Sequence, residues 1–389
     1  MAWSLDGRPV PRILVSRLRY LGDVVMSTVV LEILRLGDPD LHLGYLCEAE
    51  HGGVLAGHPL VDRCHLLNSR RSGADEAARA RNLGARDGTS ALGVWGTVRE
   101  LRAEKYDLAV DLFFNPRSAW LLRFGGAKRR IGGTLGSRRH LFTHTARPED
   151  LTPAETLGTP LAQGGLGHHL SRLAPLVHAE TGLGFCQWLR THGPAVMRPR
   201  IIAPELTSAT RTALADLGFD PAQPYVLLAP GATWPSKEWP SARWMDLARH
   251  LQDIQDAQLA VLVPPGRGRD WDDLGTVVRG GRGTVLPPLP LAQALALVAG
   301  ADTLVSVDGG IMHAGVGLGT PTVGIFGPTD PALWFPYAGA GPFRVVAMRP
   351  ECHPCDHHRC EVFICLPDLA AASVAEAVAE VRAAGHSGG

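Results

Sequence analysis

A chain of 389 residues with 45% hydrophobic and 20% charged side chains can bury sizeable cores, and its length suits two domains of ordinary size. Its formal net charge is zero, and without a long basic run or a recognised nucleic-acid motif it does not read as a nucleic-acid binder. The amino terminus MAWSLDGRPVPRILV lacks the regions of an export signal, and no stretch reaches the roughly 18 uninterrupted apolar residues of a membrane span, so a cytoplasmic protein is expected.

The first run, RILVSRL, is apolar and β-branched and is predicted as a strand. RYLGDVVMST follows at residues 19–28 and leads into the apolar spacing of a buried helix over 24–36, which sets Asp23 at a strand-to-helix turn. Two readings of Asp23 stand side by side. An aspartate is favoured as an N-cap, where it bonds free backbone N–H groups and faces the positive end of the helix dipole. A carboxylate at the carboxyl end of a parallel strand also lies where open α/β sheets place their ligands. LHLGYLCE, HLLN and DLAVDLFFN are further strand candidates, with helical patterns at 94–105 and 117–124. Residues 68–93 are rich in Arg, Ala and Gly and read as a surface insertion.

THGPAVMRPRIIAPE, residues 191–205, carries three prolines and reads as a linker, dividing the chain into domains 1–195 and 196–368. A second βα array follows. YVLLAPG, AQLAVLVPPG, GTVLPPL, TLVSVDGG and TPTVGIFG are short apolar runs ended by Gly or Pro, separated by helical patterns at 241–255, 291–299 and 311–318. Such alternation predicts parallel sheets in two Rossmann-like domains. The tail AAASVAEAVAEVRAA, within 369–389, is expected to be a helix that packs back on the first domain.

In LLAPGATWPSKEWP a strand ends in a loop that presents Thr233 and Lys237. Lysine occurs only at Lys105, Lys128 and Lys237, so a lysine at the carboxyl end of a strand is a candidate phosphate ligand, with a solvated surface lysine as the alternative. In TLVSVDGGIMHAGVGLG a strand runs through Asp308, Gly309 and Gly310 into a helix holding His313, whose free N–H groups would outline an anion hole. Asp308 could equally cap that helix, and His313 could be a satisfied, half-buried histidine. Two phosphate-suited loops in one Rossmann-like domain suggest a diphosphate ligand. Cys352, Cys355, Cys360 and Cys365, with His353, His357 and His358 nearby, admit a zinc site or a loop of partly buried thiols. The thiol reading is preferred because the spacing fits no standard zinc motif.

Charge divides unevenly, with 24 Lys/Arg against 19 Asp/Glu in residues 1–195 and 14 against 19 in 196–389. A positive amino-terminal half suits an anionic partner. Arg70, Arg71, Arg117, Arg129 and Arg130, with Arg138 and Arg139, are the candidates to meet it.

RYLGDVVMSTVVLEILR, PGATWPSKEWP and SVDGGIMHAGVGLGTPTVGIFGPTDP, in that order and spacing, resemble the heptosyltransferases of lipopolysaccharide core synthesis, glycosyltransferase family 9. CHPCDHHRCEVFICL is similar to the cysteine-bearing end of the same family. The resemblance implies a GT-B fold, two Rossmann-like domains facing a cleft, with the acceptor on the first and the nucleotide sugar on the second. It implies inverting transfer of L-glycero-D-manno-heptose from ADP-heptose to Kdo or heptose of the inner core, with no cofactor and no resident metal. It matches Asp23 to a general base, Thr233 and Lys237 to the donor-phosphate loop, and Asp308, Gly309, Gly310 and His313 to the motif around donor sugar and diphosphate. Asp270 becomes the candidate for the nucleotide ribose, although Arg267 and Arg269 intrude there. An anionic lipopolysaccharide-core acceptor also leaves room for peripheral contact with the inner face of the inner membrane. Transfer of another nucleotide-linked sugar, or nucleotide-sugar epimerisation on the same architecture, remains open. A dinucleotide oxidoreductase does not fit, because RLRYLGD replaces G-x-G-x-x-G after the first strand.

Overall fold

The computed structural model describes residues 3–68, 91–134, 136–147, 165–194, 197–252, 257–267, 271–281, 283–337 and 340–386. The chain forms two compact units, Met1–Ile202 and Ala203–Gly389. The division falls seven residues later than the expected one, within the proline-bearing 191–205 stretch.

In the first unit a short hairpin, β1 (Trp3–Leu5) and β2 (Arg8–Pro9), precedes the main sheet. That sheet comprises β3 (Arg12–Ser16), β4 (His42–Glu48), β5 (Arg63–Leu67), β6 (Leu108–Asp111), β7 (Arg129–Gly132) and β8 (His144–Thr145). All its pairings are parallel, in the order β5-β4-β3-β6-β7-β8. β9 (Val177–His178) joins the hairpin in a separate antiparallel sheet. Trp3 fastens that small sheet down: it is fully buried, donates to the Leu34 carbonyl at 2.9 Å and packs edge-on against Trp188.

The second unit repeats the plan with β10 (Tyr225–Ala229), β11 (Gln258–Val261), β12 (Gly283–Val285), β13 (Thr303–Val307), β14 (Thr322–Phe326) and β15 (Phe343–Ala347). Its order is β12-β11-β10-β13-β14-β15, again wholly parallel. Every residue of β10, β13 and β14 is buried, as expected of strands covered on both faces. The helix Gly310–Leu318 can lie close on this sheet because Gly315 has no side chain; a Cβ there would stand 2.5 Å from Leu304 Cδ2 and 2.7 Å from Thr322 Oγ1.

Read from the first strand of each array, both sheets have the doubly wound order 3-2-1-4-5-6. In such sheets the strand order reverses between the first and fourth strands, and the crevice at their carboxyl ends binds ligands. The relevant strands are β3 and β6 in one unit, β10 and β13 in the other.

The closing helix Ala371–His386 corrects the expectation that it returns to the first domain. Val374, Val378 and Val381 belong to the core of the second unit, with Trp244, Val305 and Val323. Glu380 also pairs with Arg344 of β15 at 3.1 Å. An amphipathic helix announces that it will cover a sheet but not which one. Among the described residues no helix is long and apolar enough to cross a membrane.

Candidate active site

In the first unit, the chain leaving β3 turns into a short helix, Leu21–Met26, whose N-cap is Tyr20. Asp23 therefore lies inside the first turn and is not the cap. Its carboxylate is held by Arg17, Nη2 to Oδ1 at 2.8 Å. Arg17 is itself fixed: Nη1 donates to the Leu112 carbonyl just past β6 at 3.1 Å, and the guanidinium lies over the Phe113 ring. The two chain segments at the switch point are thus joined through the arginine that grips Asp23. Asp111 ends β6 and organises the next loop, accepting from the Phe113 and Phe114 amides and from Ser118 Oγ. Burial raises its pKa to about 6.

Three histidines lie near the Asp23 carboxylate. Nε2 of the fully buried His169 lies 3.8 Å from Asp23 Oδ1, beyond hydrogen-bond reach. Burial holds its pKa well below normal, and Arg17 pushes in the same direction. Burial likewise lowers His168 and His51 to about 4 each, with the Arg172 and Arg19 guanidiniums respectively as the next causes. The imidazoles beside the salt-bridged Asp23 carboxylate are thus held neutral. None of these three histidines, nor Arg17, was singled out in the sequence. His168 and His169 follow Asp23 by more than 140 residues, and the HH pair in GLGHHLSRL carries no spacing that ties it to a strand end.

In the second unit, Lys237 and Asp308 face each other across the switch point. Lys237 sits in a short turn, Pro235–Lys237, after β10, and Asp308 follows β13. Nζ meets Oδ2 at 2.6 Å, and Thr329 Oγ1 donates to the same oxygen at 2.6 Å. Both side chains are largely buried. The ammonium also lies 4.2 Å from the centroid of the Trp234 ring, a cation–π contact, and His358 stacks on that ring at 3.7 Å. Asp308 does not cap the following helix. Its N-cap is Gly309, in extended conformation and without a side-chain bond. A Cβ at Gly309 would find its nearest atom at 3.7 Å, so protein packing does not demand a glycine there. The bare backbone leaves the first helical N–H groups uncovered, as an anion requires. His313 is buried one turn on, edge-to-face with Tyr337, and Thr233 is exposed at the mouth of the β10 loop.

The cysteine-bearing segment borders these loops. His353 lies 3.1 Å from the Thr329 carbonyl, the Cys355 amide donates to Pro328 O at 2.9 Å, and Ser236 Oγ donates to His357 O at 2.6 Å. Cys352, Cys355, Cys360 and Cys365 are free thiols, and no group of three or more His, Cys, Asp or Glu among the described residues is gathered as a metal-ligand set.

The basic residues proposed for an acceptor divide sharply. Arg70 and Arg71 lie outside the described residues, as does Asp270. Arg129 is occupied with architecture: Nη1 donates to the carbonyls of Leu5 and Arg8, and Nη2 to that of Pro9, tying the hairpin to the sheet. Arg130 donates to the Leu141 and Ala127 carbonyls. These two correct the expectation of open anion ligands, because short edge strands leave carbonyls that a guanidinium can satisfy. Arg117 bonds the buried Glu48 at 2.6 Å and the Asn68 carbonyl at 2.5 Å, close to the carboxyl end of β4. Arg267 does not intrude on the nucleotide loop as a loose charge, since it pairs with Glu238. Arg138 lies over the Phe114 ring.

Two Rossmann-like units, each with charged groups at its switch point, give the chain the GT-B architecture. Residues 202–362 match the family described as glycosyltransferase family 9 (heptosyltransferase). Over 351 residues the chain is 27% identical to lipopolysaccharide heptosyltransferase 1 of Pseudomonas aeruginosa, covering 90% of this chain and 87% of the relative. A family 9 glycosyl transferase from Veillonella parvula has the same fold, with a TM-score of 0.69 at 19% identity over 98% of this chain and 99% of that one. The ADP-heptose lps heptosyltransferase II of E. coli follows at 0.67 and 18%, over 96% and 98%. The chain is thus similar to the heptosyltransferases of glycosyltransferase family 9, through the family model over residues 202–362 and through these relatives over most of its length.

Proposed function

We propose that the protein transfers L-glycero-D-manno-heptose from ADP-heptose to the Kdo or heptose residues of the lipopolysaccharide inner core, with inversion at the anomeric carbon. The relatives' names carry the donor and the product class. The observations that carry the chemistry are a restrained carboxylate at the switch point of the first unit and a lysine–aspartate bridge at that of the second.

Asp23 acts as the general base. Arg17 and the nearby His169 occupy the side of Oδ1, which leaves Oδ2 to take the acceptor hydroxyl proton as that oxygen bonds to the anomeric carbon. The bond from that carbon to the ADP oxygen breaks with its electron pair, and ADP leaves. Lys237 has three N–H donors and gives one to Asp308, so the others are available to the leaving diphosphate. The uncovered N–H groups after Gly309 serve the same charge. Asp308 and His313 serve the donor sugar and Thr233 the phosphates, and the family resemblance assigns the ribose to Asp270. On the acceptor side Arg117, with Arg70 and Arg71, meets the Kdo carboxylates. The enzyme works at the cytoplasmic face of the inner membrane, where a lipid-anchored acceptor is met.

Incubation with ADP-heptose, with and without a Kdo-lipid acceptor, tests the reading. ADP release that depends on the acceptor, with a product heavier by one heptose, is expected. Release without acceptor, or transfer of a different sugar only, would overturn it.

A further inference from the structure

Two neighbouring helices of the first unit, Val94–Glu104 and Pro116–Phe124, carry an outer face that nothing in the chemistry above uses. Trp95 is 77% exposed, Trp120 50% and Phe124 42%, unusual for side chains that each offer a large apolar area. Trp120 and Phe124 stack on one another, with ring centroids 5.4 Å apart and planes at 17°. Arg99 and Arg102 follow Trp95 at helical spacing, and Arg123 sits beside Phe124; all three are exposed. Arg102 Nε donates to the Phe124 carbonyl at 2.8 Å, so the two helical faces form one surface. Its nearest acids are turned inward: Glu100 is bound by Arg63 and His65, and Glu104 by Arg12.

We propose that this face is a docking surface for an anionic lipid bilayer. Aromatic rings settle at the boundary between headgroups and acyl chains, and arginines pair with lipid phosphates beside them. A protein partner would be served by aromatics with a mixed charge rim, whereas here, among the described residues, every exposed charge on the face that lies among the rings is basic. The helix Pro116–Phe124 starts just past β6, at the end of the sheet where Asp23 stands, and runs from there back along the sheet to Phe124. The purpose of the surface rests on the lipid-linked acceptor proposed above, but its test does not.

The full-length protein is sedimented with vesicles of phosphatidylcholine alone and with about one-third phosphatidylglycerol, without donor or acceptor. Binding at least roughly tenfold stronger to the anionic vesicles, weakening with salt, is expected. The pair Arg99→Ser and Arg123→Ser should lower that binding by about tenfold or more, and the pair Trp95→Ser and Trp120→Ser should lower binding even at high salt. Thermal melting and ADP affinity, both unchanged, verify the fold of each variant. Equal binding to both vesicle types, no binding, unaltered binding by the variants, or a dimer that the tryptophan substitutions dissociate would each overturn the proposal. Failure of heptose transfer would leave these outcomes untouched.

Discussion

The two units share one strand order and one kind of crevice, yet they fill it with opposite chemistry. In the first, an arginine fixed to the β6 loop grips a carboxylate among neutral histidines. In the second, a buried carboxylate grips a lysine, between an indole ring and a helix start without side chains. The scaffold fixes where a ligand binds, and a few residues after the strands decide whether that place handles protons or anions.

The largest expected effect concerns acid. His51 and His168 have their pKa values lowered to about 4 by burial, against an ordinary value of 6.5. The native first unit therefore resists protonation that the unfolded chain accepts. Stability from this source is whole above about pH 6.5 and is lost as pH falls through 4, on the order of 3 kcal/mol for each histidine. Asp111 has the opposite sign, because its raised pKa gives stability that is full below about 4 and lost as pH rises through about 6. It offsets part of the loss. Hydrogen exchange resolved by segment should show the first unit opening before the second between pH 6 and 4. Replacing both histidines by glutamine should flatten that dependence. Equal acid sensitivity of the two units would erase the contrast.

Next in size is Asp23→Asn. Asparagine keeps the shape and can still meet Arg17 through its carbonyl, but it cannot take a proton. Turnover should fall by about 10²-fold or more, with ADP affinity unchanged. A variant that folds, binds ADP and transfers heptose within a few-fold of the parent rate would sink the base assignment. The mirror experiment is Lys237→Ala. Loss of a charge-assisted contact should weaken ADP binding by about tenfold to a hundredfold, corresponding to roughly 1.5–3 kcal/mol. It also strands the Asp308 carboxylate, so Lys237→Ala combined with Asp308→Asn should melt higher than the single variant. Calorimetry that finds ADP affinity intact would confine Lys237 to neutralising Asp308.

The parallel arrays, the strand ends and the positions of Asp23, Lys237 and Asp308 were legible because short continuous apolar runs, Gly-ended loops and scarce lysines are local signals. What each side chain touches was not. Asp23 looked equally like a cap until the helix proved to begin two residues earlier, at Leu21. Arg17 stood inside a run read only as strand, and its grip on Asp23 depends on a carbonyl 95 residues away. β7 and β8, four and two residues long, offered no periodicity to detect. The same blindness made every arginine near them look like a ligand for an anion.

The smallest effect tests that last correction. Arg129 spends both Nη nitrogens on three carbonyls of the hairpin, so Arg129→Lys should replace a planar fork with a single ammonium that cannot reach all three. Each lost bond is worth about 1 kcal/mol, partly recovered by water because the site is not sealed. The variant should melt a few degrees lower, while the acceptor KM stays within twofold of the parent. Arg117→Lys behaves differently if Arg117 meets the acceptor: it should raise the acceptor KM several-fold, and that rise should shrink as salt screens the pairing. If Arg129→Lys raised the acceptor KM without lowering the melting temperature, the arginine would return to the acceptor site. The division between arginines that hold the first sheet together and arginines that serve its ligand would then have to be redrawn.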